Sequence, residues 1–321
     1  MHGGDIIGEV LSKRGVKQLF TLCGGHISPI LVGAKKRGIH VVDMREEINA
    51  VFAADAAARL TGNVGVAAVT AGPGVTNTVT AIKNAQMAES PVLLFGGATA
   101  TVLRGRGSLQ DIDQLSILSP ITKWATRITT YKALGPTVER AIEIAMGGVP
   151  GPVFVEVPID LLYPEETVRK WTMQEATMKG PLGDALRFYL RGHLYRQFEQ
   201  PHVPLHAPEL PSLGDLSVTG DNPSKIDTLA ADLAAAKKPL LVLGSQTLVN
   251  QPNPDRVADA VRALRPGQPV LFMSGYSEEM ISHRGLALPG VRLLNKPFSV
   301  AEMTAAVAEA LQSSGRLRTT E

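Results

Sequence analysis

Three short stretches carry residues able to do acid–base or nucleophilic chemistry, and each follows an apolar run. Cys23-Gly24-Gly25-His26 brings a thiol and an imidazole after Gln18–Leu22. Arg45-Glu46-Glu47 follows Val41-Val42-Asp43 and places carboxyls at the start of an alanine-rich helical pattern. Ala71-Gly72-Pro73-Gly74-Val75-Thr76-Asn77 follows Val64–Thr70. Taken singly, each has an ordinary explanation. Gly-Pro-Gly commonly makes a turn, and a glutamate in a helix's first turn complements the helix dipole. Cys23 reads as small packing at the end of an apolar strand rather than as a nucleophile. Together the three stretches fall where open α/β sheets bind ligands, at the carboxyl ends of parallel strands.

The elements that position them alternate. Gln18–Leu22, His40–Asp43, Val64–Thr70, Pro91–Phe95 and Pro152–Val157 are strand candidates, too apolar to be half-exposed, which predicts a parallel sheet covered on both faces. Glu46–Leu60 reads as a helix whose Ala50, Ala53, Ala54, Ala57 and Ala58 face allows close packing, with Gly62 as its stop signal. Strands separated by helices predict an α/β domain over residues 1–178. Residues 179–224 read as a connector: a helix over Asp184–Phe198, then Pro201, Pro204, Pro208, Pro211 and Gly220-Asp221-Asn222-Pro223. The helix's aromatics, Phe188, Tyr189, Tyr195 and Phe198, are better explained by docking on its own domain than by stacking on RNA. Beyond it the βα rhythm resumes, with helices at Ile226–Ala236, Asp255–Leu264 and Val300–Leu311. Its strands are Pro239–Leu243, Val270–Met273 and Val291–Leu294, few for an independent sheet.

The 321 residues suit about two domains. A net charge of +2 calls for neither nucleic acid nor an anionic membrane. With 44% hydrophobic and 19% charged residues, the chain can bury an ordinary core. One cysteine excludes a disulfide framework and a cysteine-based zinc site. The uncharged run Leu60–Ile82 is long enough to span a bilayer, but its four glycines, proline and five threonines read as strand, loop and helix. Met1-His2-Gly3-Gly4-Asp5 lacks a basic-then-apolar leader, so a cytoplasmic protein is expected.

The ordered set of motifs resembles the pyrimidine-binding domain of thiamine-diphosphate enzymes, within the acetolactate synthase (acetohydroxyacid synthase) and 2-hydroxyacyl-CoA lyase group. Besides the three stretches, the likeness is carried by Ile27-Ser28-Pro29, Ala53 to Gly62, Leu109-Gln110 and Gly151-Pro152-Val153-Phe154-Val155-Glu156-Val157-Pro158. It runs from about Gly4 to Leu264. The resemblance implies that Glu47 is the cofactor-activating glutamate. A carboxyl hydrogen-bonded to the aminopyrimidine ring favours the imino tautomer, which can take the proton from the thiazolium carbon. It further implies that Gly24, Gly25, Gly72, Pro73, Gly74 and Asn77 surround the cofactor, and that Gln110 stands near the substrate carbonyl. His26 would face the reacting centre or be structural, and Lys123 and Arg104 would be phosphate or carboxylate contacts.

In that family a second domain holds the diphosphate through Mg²⁺, using Gly-Asp-Gly and a later asparagine. Gly220-Asp221-Asn222 is the only near match here, and it lies in the connector. A homodimeric partner or a separate chain would then have to supply the diphosphate and Mg²⁺ half. Residues 225–265 resemble the opening of the family's central domain, too short a piece for FAD to be expected. Residues 266–321 resemble the second half of a response-regulator receiver, which implies Ser274 as switch hydroxyl and Lys296 as the lysine that pairs with a phosphoaspartate. The phosphoacceptor position falls near Gln246, which cannot form an acyl phosphate. The expectation is therefore a thiamine-diphosphate-binding module of a carboligase or lyase on 2-keto or 2-hydroxyacyl substrates, inactive alone. A phosphorelay protein or a non-catalytic fusion fragment is the alternative.

Overall fold

The computed structural model describes residues 2–174, 176–200, 207–209, 235–236, 240–243, 263, 269–274, 292–295 and 297–316. The chain forms two units, Met1–Ser212 and Leu213–Glu321. The first contains α1 (Gly3–Lys13), β1 (Gln18–Thr21), α2 (Ser28–Lys36), β2 (His40–Asp43), α3 (Glu47–Thr61) and β3 (Gly65–Val69). It continues with α4 (Pro73–Thr76), α5 (Val79–Met87), β4 (Val92–Ala98), α6 (Gln114–Leu118) and β5 (Trp124–Arg127). Last come α7 (Leu134–Met146), β6 (Val153–Pro158), α8 (Glu165–Gln174) and α9 (Pro181–Phe198).

Its six strands are all parallel, in the order β2-β1-β3-β4-β6-β5. The central strands β3, β4 and β6 are buried at every residue, as continuous apolar runs on a doubly covered sheet require. Alternate residues serve opposite faces. Val66, Leu93 and Val155 pack with Ile7, Leu11, Ile30 and Val138 of α1, α2 and α7. Ala67, Val69, Leu94 and Phe154 pack with Ala50, Ala54, Ile82 and Ala85 of α3 and α5. β2 is an edge strand, exposed or half-buried throughout, contrary to the reading of His40–Asp43 as fully covered.

The alanine face of α3 allows the close approach expected of it: a Cβ added to Gly65 would lie 1.9 Å from the Ala54 carbonyl oxygen. α3 ends where Gly62 adopts φ 69°, and the Gly62 N–H donates to the Ala58 carbonyl at 2.9 Å. α1 and α2 meet backbone to backbone. A Cβ at Gly4 would lie 1.9 Å from the Pro29 carbonyl oxygen, and one at Gly8 2.4 Å from that of Gly33.

Two strand readings change. β4 runs on through Gly96-Gly97-Ala98, beyond the Pro91–Phe95 run, and β5 at the far edge was not anticipated. α9 begins at Pro181, three residues earlier than expected, and docks on its own unit. Its Leu194 and Phe198 pack with Val168, Tyr131, Tyr163 and Met173, so docking accounts for Phe198 alone of the four aromatics, while Phe188, Tyr189 and Tyr195 are exposed.

In the second unit β7 (Leu241–Leu243), β8 (Val270–Ser274) and β9 (Arg292–Asn295) form a parallel sheet in that order, followed by α10 (Val300–Arg316). Leu271, Leu294 and Ala306 make its described core. All but Ala263 of the helix expected at Asp255–Leu264 and all but Ala235 and Ala236 of that at Ile226–Ala236 lie outside the described residues, as do Gly220-Asp221-Asn222, Gln246 and Lys296. Among the described residues no helix is long and apolar enough to cross a membrane.

Candidate functional site

β1 is followed in space by β2 on one side and β3 on the other, so the chain reverses direction across the sheet between β1 and β3. At such a switch point the loops leaving the two strands diverge and leave a crevice. Cys23–His26 leaves β1 there, and Thr70–Gly72 leaves β3. The two loops touch: His26 Nδ1 lies 3.3 Å from Thr70 Oγ1, and a Cβ on Gly24 would sit 2.4 Å from Thr70 Cβ. Ser28 Oγ donates to the Gly24 carbonyl at 3.0 Å and fixes the turn into α2. The His26 ring is half-buried, and burial lowers its pKa, which keeps the imidazole neutral near pH 7.

Glu47 is the first residue of α3, carried there by the extended backbone of Glu46. It is half-buried. Asn77 Nδ2 donates to Glu47 Oε2 at 3.0 Å. The Asn77 N–H donates to the Pro73 carbonyl at 3.0 Å, closing the short turn α4. Gly74 borders the other oxygen: a Cβ there would lie 3.4 Å from Glu47 Oε1 and 2.8 Å from Thr70 Cγ2. The loop thus presents bare backbone beside a carboxyl whose orientation Asn77 holds. Gly72 opens this loop at φ 62°, ψ −112°, a conformation open to glycine and strained for other residues.

Gln110 is brought to the same place. It adopts φ 62°, and a Cβ on Gly72 would meet the Gln110 carbonyl oxygen at 2.8 Å. One further residue escaped the sequence reading. Gln114 is 2% exposed; its Oε1 accepts from the Gly72 N–H at 2.8 Å and its Nε2 donates to the Gly97 carbonyl at 3.1 Å. The signal was a polar residue four positions before Leu118 on the buried stripe of α6. Beside Gln110 and Gln114, a cavity of about 180 Å³ opens at the ends of β4, β5 and β6. Arg104 lines it and is exposed.

Other expected residues go elsewhere. Cys23 is exposed in the loop after β1, not packed, because β1 ends at Thr21. Lys123 contacts no ligand crevice: its Nζ donates to the Ile144 and Gly147 carbonyls at 2.5 and 2.7 Å and caps the end of α7. Burial pushes its pKa down to about 8. Nothing lies within 4 Å of the Cβ position of Gly25. Ser274 ends β8 in the second unit.

A flat heteroaromatic ring with a hydrogen-bonding edge needs a fixed carboxyl and side-chain-free backbone beside it. Glu47, held by Asn77, and the bare backbone of Gly74 beside it meet both needs, so the residues present fit an aminopyrimidine. Among the described residues, no group of three or more His, Cys, Asp or Glu side chains could hold a metal ion.

Residues 1–117 match the family described as thiamine pyrophosphate enzyme, N-terminal TPP binding domain. The chain is 48% identical over 280 residues to 2-hydroxyacyl-CoA lyase 2 of Caenorhabditis elegans, covering 87% of this chain and 43% of that protein. It is 43% identical over 318 residues to 2-hydroxyacyl-CoA lyase 2 of Bos taurus, covering 98% of this chain and 49% of that protein. That alignment extends into the residues read above as receiver-like. Acetolactate synthase large subunit IlvG of Mycobacterium tuberculosis is 38% identical over 160 residues, 50% of this chain and 29% of that protein. The chain spans less than half the length of these relatives. The parallel α/β sheet agrees with these matches: residues 1–117 belong to the family of N-terminal cofactor-binding domains of thiamine-diphosphate enzymes, and the chain is similar to 2-hydroxyacyl-CoA lyases and acetolactate synthases.

Proposed function

We propose that this chain supplies the pyrimidine half of a thiamine-diphosphate site in a carboligase or lyase acting on 2-hydroxyacyl or 2-keto substrates. The observation that carries this reading is the Asn77–Glu47 hydrogen bond beside the side-chain-free backbone of Gly74. Bound thiamine diphosphate supplies a nucleophilic carbon that makes and breaks bonds next to a carbonyl. The chain's own residues hold it and move protons. Glu47 would exchange a proton with the ring nitrogen, and Asn77 keeps its carboxyl turned toward the ring. Gly72 and Gly74 let the backbone close on the ring face, and Gln110 would meet the substrate carbonyl. His26, neutral and tied to Thr70, would border the reacting centre. The diphosphate and its Mg²⁺ would be held by a partner, either a second copy or a chain carrying that domain.

Saturation-transfer NMR of thiamine diphosphate with the full chain tests the assignment. The pyrimidine ring proton is expected to take up more saturation than the thiazolium side. Glu47→Gln should weaken binding about tenfold while leaving the thermal midpoint unchanged. Equal binding by both proteins would remove Glu47 from the site.

A further inference from the structure

Docking of α9 leaves its outer face unexplained. Leu190, Leu194 and Phe198 are buried, whereas Phe188 is 81% and Tyr195 53% exposed. Tyr195 lies seven residues after Phe188, and the exposed Pro181 lies seven residues before it. Seven residues make almost two helical turns, so the three form one row along the solvent side. Tyr189 does not belong to that row. Its hydroxyl accepts from Arg106 Nη2 at 3.5 Å, and its ring stacks on His193, so it is engaged within the unit.

Gly192 is exposed between Phe188 and Tyr195, and nothing lies within 4 Å of its Cβ position. Glycine inside a helix costs about 1 kcal/mol relative to alanine, and no described neighbour requires it here. It leaves a notch in the face where a second helix backbone can come close. Two charges border the row on one edge, since they too are seven residues apart. Asp184 bonds Arg187 at 2.7 Å with its side chain still 75% exposed, and Arg191 is exposed and pairs with no acid among the described residues.

The row is its own complement when reversed. With a two-fold axis at Phe188, each residue of one α9 comes level with the residue equally far beyond Phe188 on the other. Phe188 then meets its own copy, and Pro181 meets Tyr195 of the partner subunit. Asp184 comes level with the partner subunit's Arg191 and Gly192, and a two-fold axis keeps each edge of the row against the same edge. Two opposite-charge contacts result. A parallel pairing would instead set Asp184 against Asp184 and Arg191 against Arg191, which like-charge repulsion disfavours.

We propose that the outer face of α9 is a self-association surface, on which two copies of this chain pair antiparallel about Phe188. The surface uses none of the crevice loops and does not rest on the proposed function. One helix pair buries less than the roughly 1,200 Å² of a standard interface, so the assembly is weak.

Sedimentation velocity of the full chain, without cofactor and at up to roughly 300 μM, tests this. A monomer–dimer equilibrium is expected. Phe188→Ala should weaken it at least about tenfold and leave the thermal midpoint unchanged. Asp184→Arg and Arg191→Asp should each weaken it, because both charge contacts become like-charge. Mixed in equal amounts, these two variants should form a heterodimer about as tight as the unaltered pair, since every contact across it is again opposite-charge. A chain that stays monomeric, a dimer indifferent to Phe188→Ala, or charge variants that do not recover on mixing would each overturn the assignment. A chain that dimerises in this way but does not bind thiamine diphosphate would keep the surface and lose the proposed function; the reverse result would lose only the surface.

Discussion

Gln114 is the residue through which the Gly72 loop depends on the sheet, and replacing it tests that dependence. In Gln114→Leu the volume is nearly kept, but the buried Gly72 N–H loses its acceptor at 2.8 Å and the Gly97 carbonyl loses a donor at 3.1 Å. An unsatisfied buried donor costs roughly 1–3 kcal/mol and a lost hydrogen bond about 1 kcal/mol. The apolar side chain returns part of this, so a net loss of about 2–3 kcal/mol is expected. With a urea dependence near the upper end of the usual range, about 3 kcal/mol per molar, the unfolding midpoint should fall by roughly 0.7–1 M. Gln114→Glu sharpens the test. Its carboxylate can still accept from Gly72 but faces the Gly97 carbonyl with an oxygen in place of the amide donor. Protonation restores a donor there, so the loss should shrink as pH falls through the carboxyl's titration. A loss below 0.5 kcal/mol in Gln114→Leu, or a pH-independent loss in Gln114→Glu, would refute the bridging role.

Gly72→Ala should destabilise by about 2 kcal/mol or more and abolish thiamine diphosphate binding, because φ 62° strains alanine and the new Cβ meets the Gln110 carbonyl oxygen at 2.8 Å. Gly25→Ala, with nothing within 4 Å, is the neutral control in the same thermal unfolding assay. Lys123→Met keeps the apolar stem but removes two donors from the end of α7, for an expected loss of about 1–3 kcal/mol. The folded value near 8 lies below the unfolded value of about 10.4, so between them the unfolded chain binds more protons and stability rises with pH. The difference in unfolding free energy between wild type and Lys123→Met should therefore widen from pH 8 to pH 10, and a constant difference would count against the buried ammonium.

Much of the first unit was legible because its signals are local. Val64–Thr70 and Pro152–Val157 announce buried parallel strands by short, largely apolar runs rich in valine, and Gly62 announces the end of α3. That Glu47, Gly74 and Asn77 would come together was legible because they fall just beyond the strands of one parallel sheet. What escaped depends on contacts distant in sequence. β4 passes through Gly96 and Gly97, which read as a break. Those glycines are there because Phe154 and Val75 crowd one and His26 the other, with Cβ clearances of 2.6, 2.8 and 2.5 Å. β5 is an edge strand of four residues whose Trp124 and Thr126 alone are buried, too weak a pattern to separate from loop. Lys123 looked like an anion contact because no local feature shows that the end of α7 lies beneath it. Cys23 looked packed because the apolar run seemed to continue past Thr21.

The glycine seam between α1 and α2 has a consequence for how ligands meet the crevice. Two helices in backbone contact have no side-chain layer to slide or compress, so they behave as a single rigid plate. α2 begins directly after the His26 loop, which is therefore bolted to the N-terminal helix at one end and to Thr70 at the other. An arriving ring meets that wall already in place. Little chain entropy remains to be lost on docking there, and the encounter should follow lock-and-key kinetics, with association limited by approach and orientation rather than by a closing step.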